Sequence, residues 1–230
     1  MARPVLSTSN AADFTSATTG TVNLTIGVTG TYTVYGFVTH RDAGTPSVVT
    51  MTADGNAMTQ LGTSQAFSVS SGKVFRWRGT LTAGTRAVVA TLDQARNGRI
   101  IAFATQTDGT TPNGTVAQGE ALTSGAITLT ADQSLLSFFA TEDSGGSVPP
   151  QYTATGTATQ TKYHDGGLNF QRGVAFWQDV TGSCTASVTY GGSNDGTAFF
   201  AVPLNGAAAP SGPSAGATRS QRINQLLMPE

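Results

Sequence analysis

A chain of 230 residues with 38% hydrophobic content holds enough apolar material for one large domain or two small ones, yet only 11% of it is charged, against about a quarter in an ordinary soluble domain. The missing polarity is carried by Thr, Ser, Asn and Gln beside 28 glycines, which excludes a coiled coil and the usual helical enzyme. With 12 basic and 13 acidic residues the net charge is -1, so no field exists to gather nucleic acid, anionic lipid or an acidic substrate.

Residues 1–20 are rich in Ser, Thr and Ala and read as a flexible N-terminal arm without an apolar run of signal-peptide length. No window approaches the roughly 18 apolar residues of a membrane-spanning helix. From Thr21 to Leu204 the chain is a succession of short β-rich runs, roughly a dozen, separated by Gly, Asn, Asp and Ser. The first are Thr21 to Gly27, Thr31 to His40 and Ser47 to Ala53. Asp54-Gly55, Asn97-Gly98, Asp108-Gly109 and Asn113-Gly114 supply turn chemistry between runs. This rhythm predicts an all-β antiparallel sandwich or barrel over residues 21–206, as one domain.

Alternation along Lys73-Val74-Phe75-Arg76-Trp77-Arg78 puts Phe75 and Trp77 on one face and the two arginines on the other, and the aromatic face is assigned to the core. Arg76 and Arg78 are then an exposed pair on a sheet, not the basic patch of a nucleic-acid surface. Thr107 to Ser124 reads as a crossing loop. In Phe176-Trp177 the two rings point opposite ways, so one of them needs a second apolar environment, a hint of self-association. Cys184, the only cysteine, lies in an alternating run and reads as a buried apolar thiol.

Chemistry-bearing residues are few. His40 closes a strand beside Arg41-Asp42, and His164 opens the Asp165-Gly166-Gly167 turn. Both are read as solvated strand ends. Glu142-Asp143 is the adjacent acidic pair that a glycoside hydrolase would need within roughly 5–10 Å in a cleft. The sequence carries no nucleophile elbow, P-loop, dinucleotide fingerprint or calcium loop. The expectation is a protein that is not an enzyme and has no cofactor or metal.

From Ala207 the composition becomes Ala, Pro, Ser and Gly, a flexible tether, and ends in Arg219, Arg222, Ile223, Leu226, Leu227 and Met228, read as a partner-binding peptide in the segment 207–230. Burying its four apolar side chains is worth roughly 6–12 kcal/mol gross, whereas ordering a dozen residues costs on the order of 12–24 kcal/mol. Docking therefore requires backbone hydrogen bonds as well, as in strand addition to a sheet edge.

The stretch Asp54 to Gly62, then Val74 to Val89, Ile100 to Pro112, Ile127 to Phe139 and the closing Thr197 to Leu204 resembles a jelly-roll-like β-sandwich module of tailed-phage and prophage virion proteins. The resemblance implies a single jelly-roll-like domain with flexible arms. It further implies a non-catalytic virion structural protein: a capsid decoration or cement protein, a head spike or fibre base, or a tail-associated protein. Its expected partners are other virion proteins and further copies of itself, with a trimer expected. Neither a nucleic acid nor a membrane is an expected partner. The competing expectation is a carbohydrate-binding or adhesin module recognising host surface glycan. An enzyme using Glu142 or Asp143 is a third and weaker class.

Overall fold

The computed structural model describes residues 3–41, 49–67, 70–106, 117–119, 126–143, 151–154, 161–164, 172–178, 182–189 and 194–206. Its strands are β1 (Val5–Ile26), β2 (Gly30–Arg41), β3 (Val49–Ala53), β4 (Asn56–Ala57), β5 (Thr59–Phe67), β6 (Ser70–Leu81), β7 (Gly84–Gln106) and β8 (Ala117–Gly119). They continue as β9 (Ile127–Leu129), β10 (Gln133–Asp143), β11 (Gln151–Ala154), β12 (Thr161–His164), β13 (Arg172–Gln178), β14 (Gly182–Cys184), β15 (Ala186–Thr189) and β16 (Asn194–Asn205). The all-β antiparallel sandwich class expected from the sequence is the one the protein has, in a barrel-like form.

The first sheet runs β4-β3-β7-β2-β6-β5, with β1 also on β7. Two long strands fold it over. The first half of β7 pairs with β3 and the second half with β2, while β1 follows β7 from Val5↔Gln106 to Ile26↔Gly84. The bend in β1 falls between Phe14 and Thr19, where the register shifts twice and Ser16 takes a φ of 48°. Phe14 fills the inside of that bend, and its ring lies so close over Gly20 and Gly98 that a Cβ at either would collide with it. On the opposite side β4 pairs with β3 and β5 pairs with β6, with only Met58 between β4 and β5. The Met58 N–H donates to the Met51 carbonyl at 2.9 Å, so the sheet nearly closes into a flattened barrel. Its interior holds Leu24, Val34, Met51, Phe75, Leu81 and Ile100, all buried. Gly36 faces the same space, where any side chain would run into the end of Met51.

The second sheet runs β12-β13-β10-β16-β8 and packs on the outer face of β2, β6 and β7. Phe37 stacks on Phe138 at 5.0 Å between centroids and meets Phe200 edge-on at 6.0 Å, while Phe103 meets Phe138 at 6.1 Å. Gly72 allows this approach, since its missing side chain leaves room for Phe37, Phe200 and Ala140. Strand β2 is thus covered on both faces, and Tyr32 to His40 are buried without interruption, as in a central strand. No strand pairing among the described residues joins the first sheet to the second; side-chain packing does.

Two expectations are corrected. Residues 1–20, read as a flexible arm, are strand from Val5 onward, because β7 is long enough to pair with them and Phe14 anchors them. Asn97-Gly98, read as a turn, lies inside β7 without reversing the chain; Gly98 yields space to Phe14 and Asn97 Oδ1 accepts from the Ser16 N–H at 2.8 Å. Asp54-Gly55 is the expected tight turn, with φ of 49° and 80° joining β3 to β4. The other two turn dipeptides lie outside the described residues, as does most of the 107–124 loop.

Candidate functional site

On β5 and β6 the register Thr59↔Arg76 and Leu61↔Val74 sets Thr59 and Leu61 on the same face as Arg76, and Ala57 and Arg78 extend the two rows. This face is turned away from the barrel interior, because Phe75 and Trp77 point inward and pack with its core. At Val74 the face is fully buried in the cluster shared with the second sheet. Beyond Val74 a groove of about 370 Å³ is lined by Ala57, Thr59, Leu61, Arg76, Trp77 and Arg78. Both arginines are half-buried.

The groove is bordered by a seam between the two sheets. A bulge in β5 between Leu61 and Gln65, with Gly62 at a φ of 64°, presents Thr63 to Gln118 of β8. Gln118 Oε1 accepts from the Thr63 N–H at 3.1 Å, and Gln118 Nε2 donates to the Thr63 hydroxyl. The floor is therefore two hydrogen-bonded strands braced by a third. Guanidinium groups present planar forks of donors suited to carboxylate or phosphate. Sequence alternation correctly separated Trp77 from the two arginines. It missed the groove, because Ala57, Thr59 and Leu61 become meaningful only once β5 lies beside β6.

The other candidates do not gather. His40 was expected to be solvated and is fully buried, since β2 stays central to its end; its Nε2 lies 3.2 Å from Ser71 Oγ. Lys73, 6% exposed, lies on the same inward face, opposite Val38. His40, Ser71 and Lys73 thus form a buried polar group on the inward face of β2 and β6. His164 lies at Ala175, hence in the row of Phe138, so it stands two strands across from β10 and four residues, roughly 13 Å, along the strand direction from Glu142. Their backbone positions do not pair them. No group of three His, Cys, Asp or Glu able to hold a metal occurs among the described residues.

Cys184 is buried as expected, and burial pushes its thiol above the ordinary range. Trp177 points into the contact between the sheets, with its indole N–H lacking a hydrogen-bond partner among the described residues. The side chain of Phe176 lies outside the described set, as do Arg219, Arg222, Ile223, Leu226, Leu227 and Met228. The segment that leads to them starts from a fixed corner. The Gly206 N–H donates to the Asp132 carbonyl at 3.0 Å, and Arg3 Nε donates to the neighbouring Ala131 carbonyl at 3.1 Å. Both ends of the described chain thus meet on the turn between β9 and β10. Comparison of the chain with protein-family models, with curated proteins and with solved structures finds no match.

Proposed function

We propose that this protein is a non-catalytic structural component of a phage-like virion, a capsid decoration or cement protein, a head spike or fibre base, or a tail-associated protein, that assembles as a homo-oligomer. The observation that carries the reading is the shared corner at Ala131 and Asp132, from which the segment carrying Ile223, Leu226, Leu227 and Met228 departs beside the start of β1. A segment that leaves the folded domain at a defined point suits attachment to a neighbouring subunit. Further support comes from Tyr35, Phe37, Phe103, Phe138, Phe200 and Trp177, all fully buried, which invest the aromatic content in rigidity. Glycan recognition is the second reading, and the groove at Arg76 and Arg78 is the feature in its favour.

Deleting residues 208–230 tests the proposal. The melting temperature of the domain is expected to stay within a degree or two, while the copies retained on the particle, or in the oligomer, fall sharply. Undiminished incorporation without the segment would overturn it.

A further inference from the structure

The two halves of the chain repeat one topology. Read from the β5 edge, the first sheet runs β5-β6-β2-β7-β1, and the second runs β12-β13-β10-β16-β8, so β1, β2, β5, β6 and the end of β7 correspond in chain order to β8, β10, β12, β13 and β16. The remaining strands complete the match. β9 pairs with β14 as the end of β1 pairs with the start of β7, and β11 pairs with β15 as β3 pairs with β7. Register follows the same plan. Ile26 stands opposite Gly84 and Leu129 opposite Gly182, and these two glycines have φ of 113° and 90°. Val88, opposite Ala53, and Ala186, opposite Ala154, lie equal steps beyond those glycines. Val34, opposite Trp77 and Ala104, and Ser137, opposite Phe176 and Ala201, lie equal steps beyond Ile26 and Leu129. Ala104 in turn pairs with Thr8, and Ala201 with Ala117.

On this correspondence Tyr35 matches Phe138, Ile101 matches Ala198 and Phe103 matches Phe200, and all of them belong to the one buried cluster between the sheets. The halves therefore meet through the same face of each. Their contacts are also reciprocal: β6 touches β10 and β13 touches β2, while β6 touches β16 and β13 touches β7. Such reciprocity is the signature of a two-fold, self-complementary interface. We infer that the chain is a duplicated sandwich unit, residues 1–106 and 117–206, and that the outer face of β2, β6 and β7 is a self-recognition surface. The partner it fits is a second copy of its own unit, supplied here by the second half of the chain. The inference stands apart from the virion assignment, since it concerns how the unit recognises itself and not where the protein assembles. Residue identity hides the duplication, because Val34 matches Ser137 and Trp77 matches Phe176. Register and face carry it instead.

The test forces the halves of the full chain apart and asks what the vacated face binds. Phe138→Arg sets a charge in the apolar contact on the second half, and Tyr35→Arg sets one at the matching place on the first. In each single variant the unaltered face is expected to pair with the same face of another chain, giving a discrete species of twice the parent's mass by sedimentation, with the strand signal retained in the far ultraviolet. The double variant has no unaltered face and is expected to lose that species. Parent mass or open-ended aggregation in both single variants, or a doubled mass that persists in the double variant, would overturn the inference. Should both single variants lose their strand signal, a cut in the parent decides. No strand pairing among the described residues crosses from one half to the other, so a full chain cleaved at a protease site placed at residues 110–113 is expected to stay paired, at the mass and within a few degrees of the melting temperature of the uncut protein. Pieces that separate or precipitate on cleavage would overturn the inference as well.

Discussion

Cys184 shows what burial does to a single group. It is 1% exposed in β14, and loss of water pushes its thiol above the ordinary range because the thiolate is the form that burial penalises. The unfolded thiol then ionises at a lower pH than the folded one. Between those two values the unfolded state binds fewer protons, so this contribution to stability is whole below the unfolded value and declines as pH rises. A thiol reagent at pH 8 is expected to label the native protein far more slowly than the urea-unfolded one, and the denaturation midpoint to drop less at pH 10 in Cys184→Ala than in the parent. Rapid stoichiometric labelling of the native state would contradict this. Burial of Cys184 was legible in the sequence because alternation is local. Burial of His40 was not, because what covers the end of β2 comes from β6, β7 and the far wall of the barrel, remote in sequence.

Strand edges are a hazard in any open sheet, and charged side chains, lysine above all, commonly protect them. This chain has 11% charged residues and none between Phe14 and Thr39. Neutral amides do the work instead. On β1, Asn10 Nδ2 donates to the Asn23 carbonyl at 2.9 Å while its Oδ1 accepts from the Ala11 N–H at 2.9 Å, so one side chain occupies two backbone groups of an edge strand. On β5, Gln65 Nε2 donates to the Ser64 carbonyl at 3.1 Å, and Gln118 covers Thr63. Asn10→Ala is expected to cost no more than about 1–2 kcal/mol in stability. It should nevertheless produce concentration-dependent self-association by sedimentation, because the regular, uncharged Thr19–Ile26 segment becomes available to a second strand. A monomer at all concentrations would show that the amide is not a guard. Most strands were legible as elements, since turn residues and alternation mark them. The long β1 and β7 were not: a strand that bends within itself carries the same glycine and asparagine signals as two strands joined by a turn.

At the scale of the molecule, the question is whether the barrel and the second sheet unfold as one. Each has its own hydrogen bonding, and the barrel interior, with Leu24, Val34 and Phe75, is a core separate from the aromatic contact between the sheets. What joins them is the cluster of Phe37, Phe103, Phe138 and Phe200, the Thr63–Gln118 seam and the Arg3–Ala131 bond. The last two are exposed and worth about 1 kcal/mol each at most. A ring as enclosed as Phe138 contributes about 3–5 kcal/mol on truncation to alanine. Coupling therefore rests on the aromatic cluster. The two tryptophans report on the two sides of it, Trp77 against the barrel core and Trp177 in the intersheet cluster. In the parent, single-tryptophan versions made by Trp→Phe replacement are expected to give coincident urea transitions. In Phe138→Ala the Trp177 transition should move to lower urea by the equivalent of about 3–5 kcal/mol, while the Trp77 transition moves much less, because the barrel interior loses no contact. Coincident transitions that shift together in the variant would mean that the barrel cannot stand without the second sheet, and that the single domain read from the sequence is also a single folding unit.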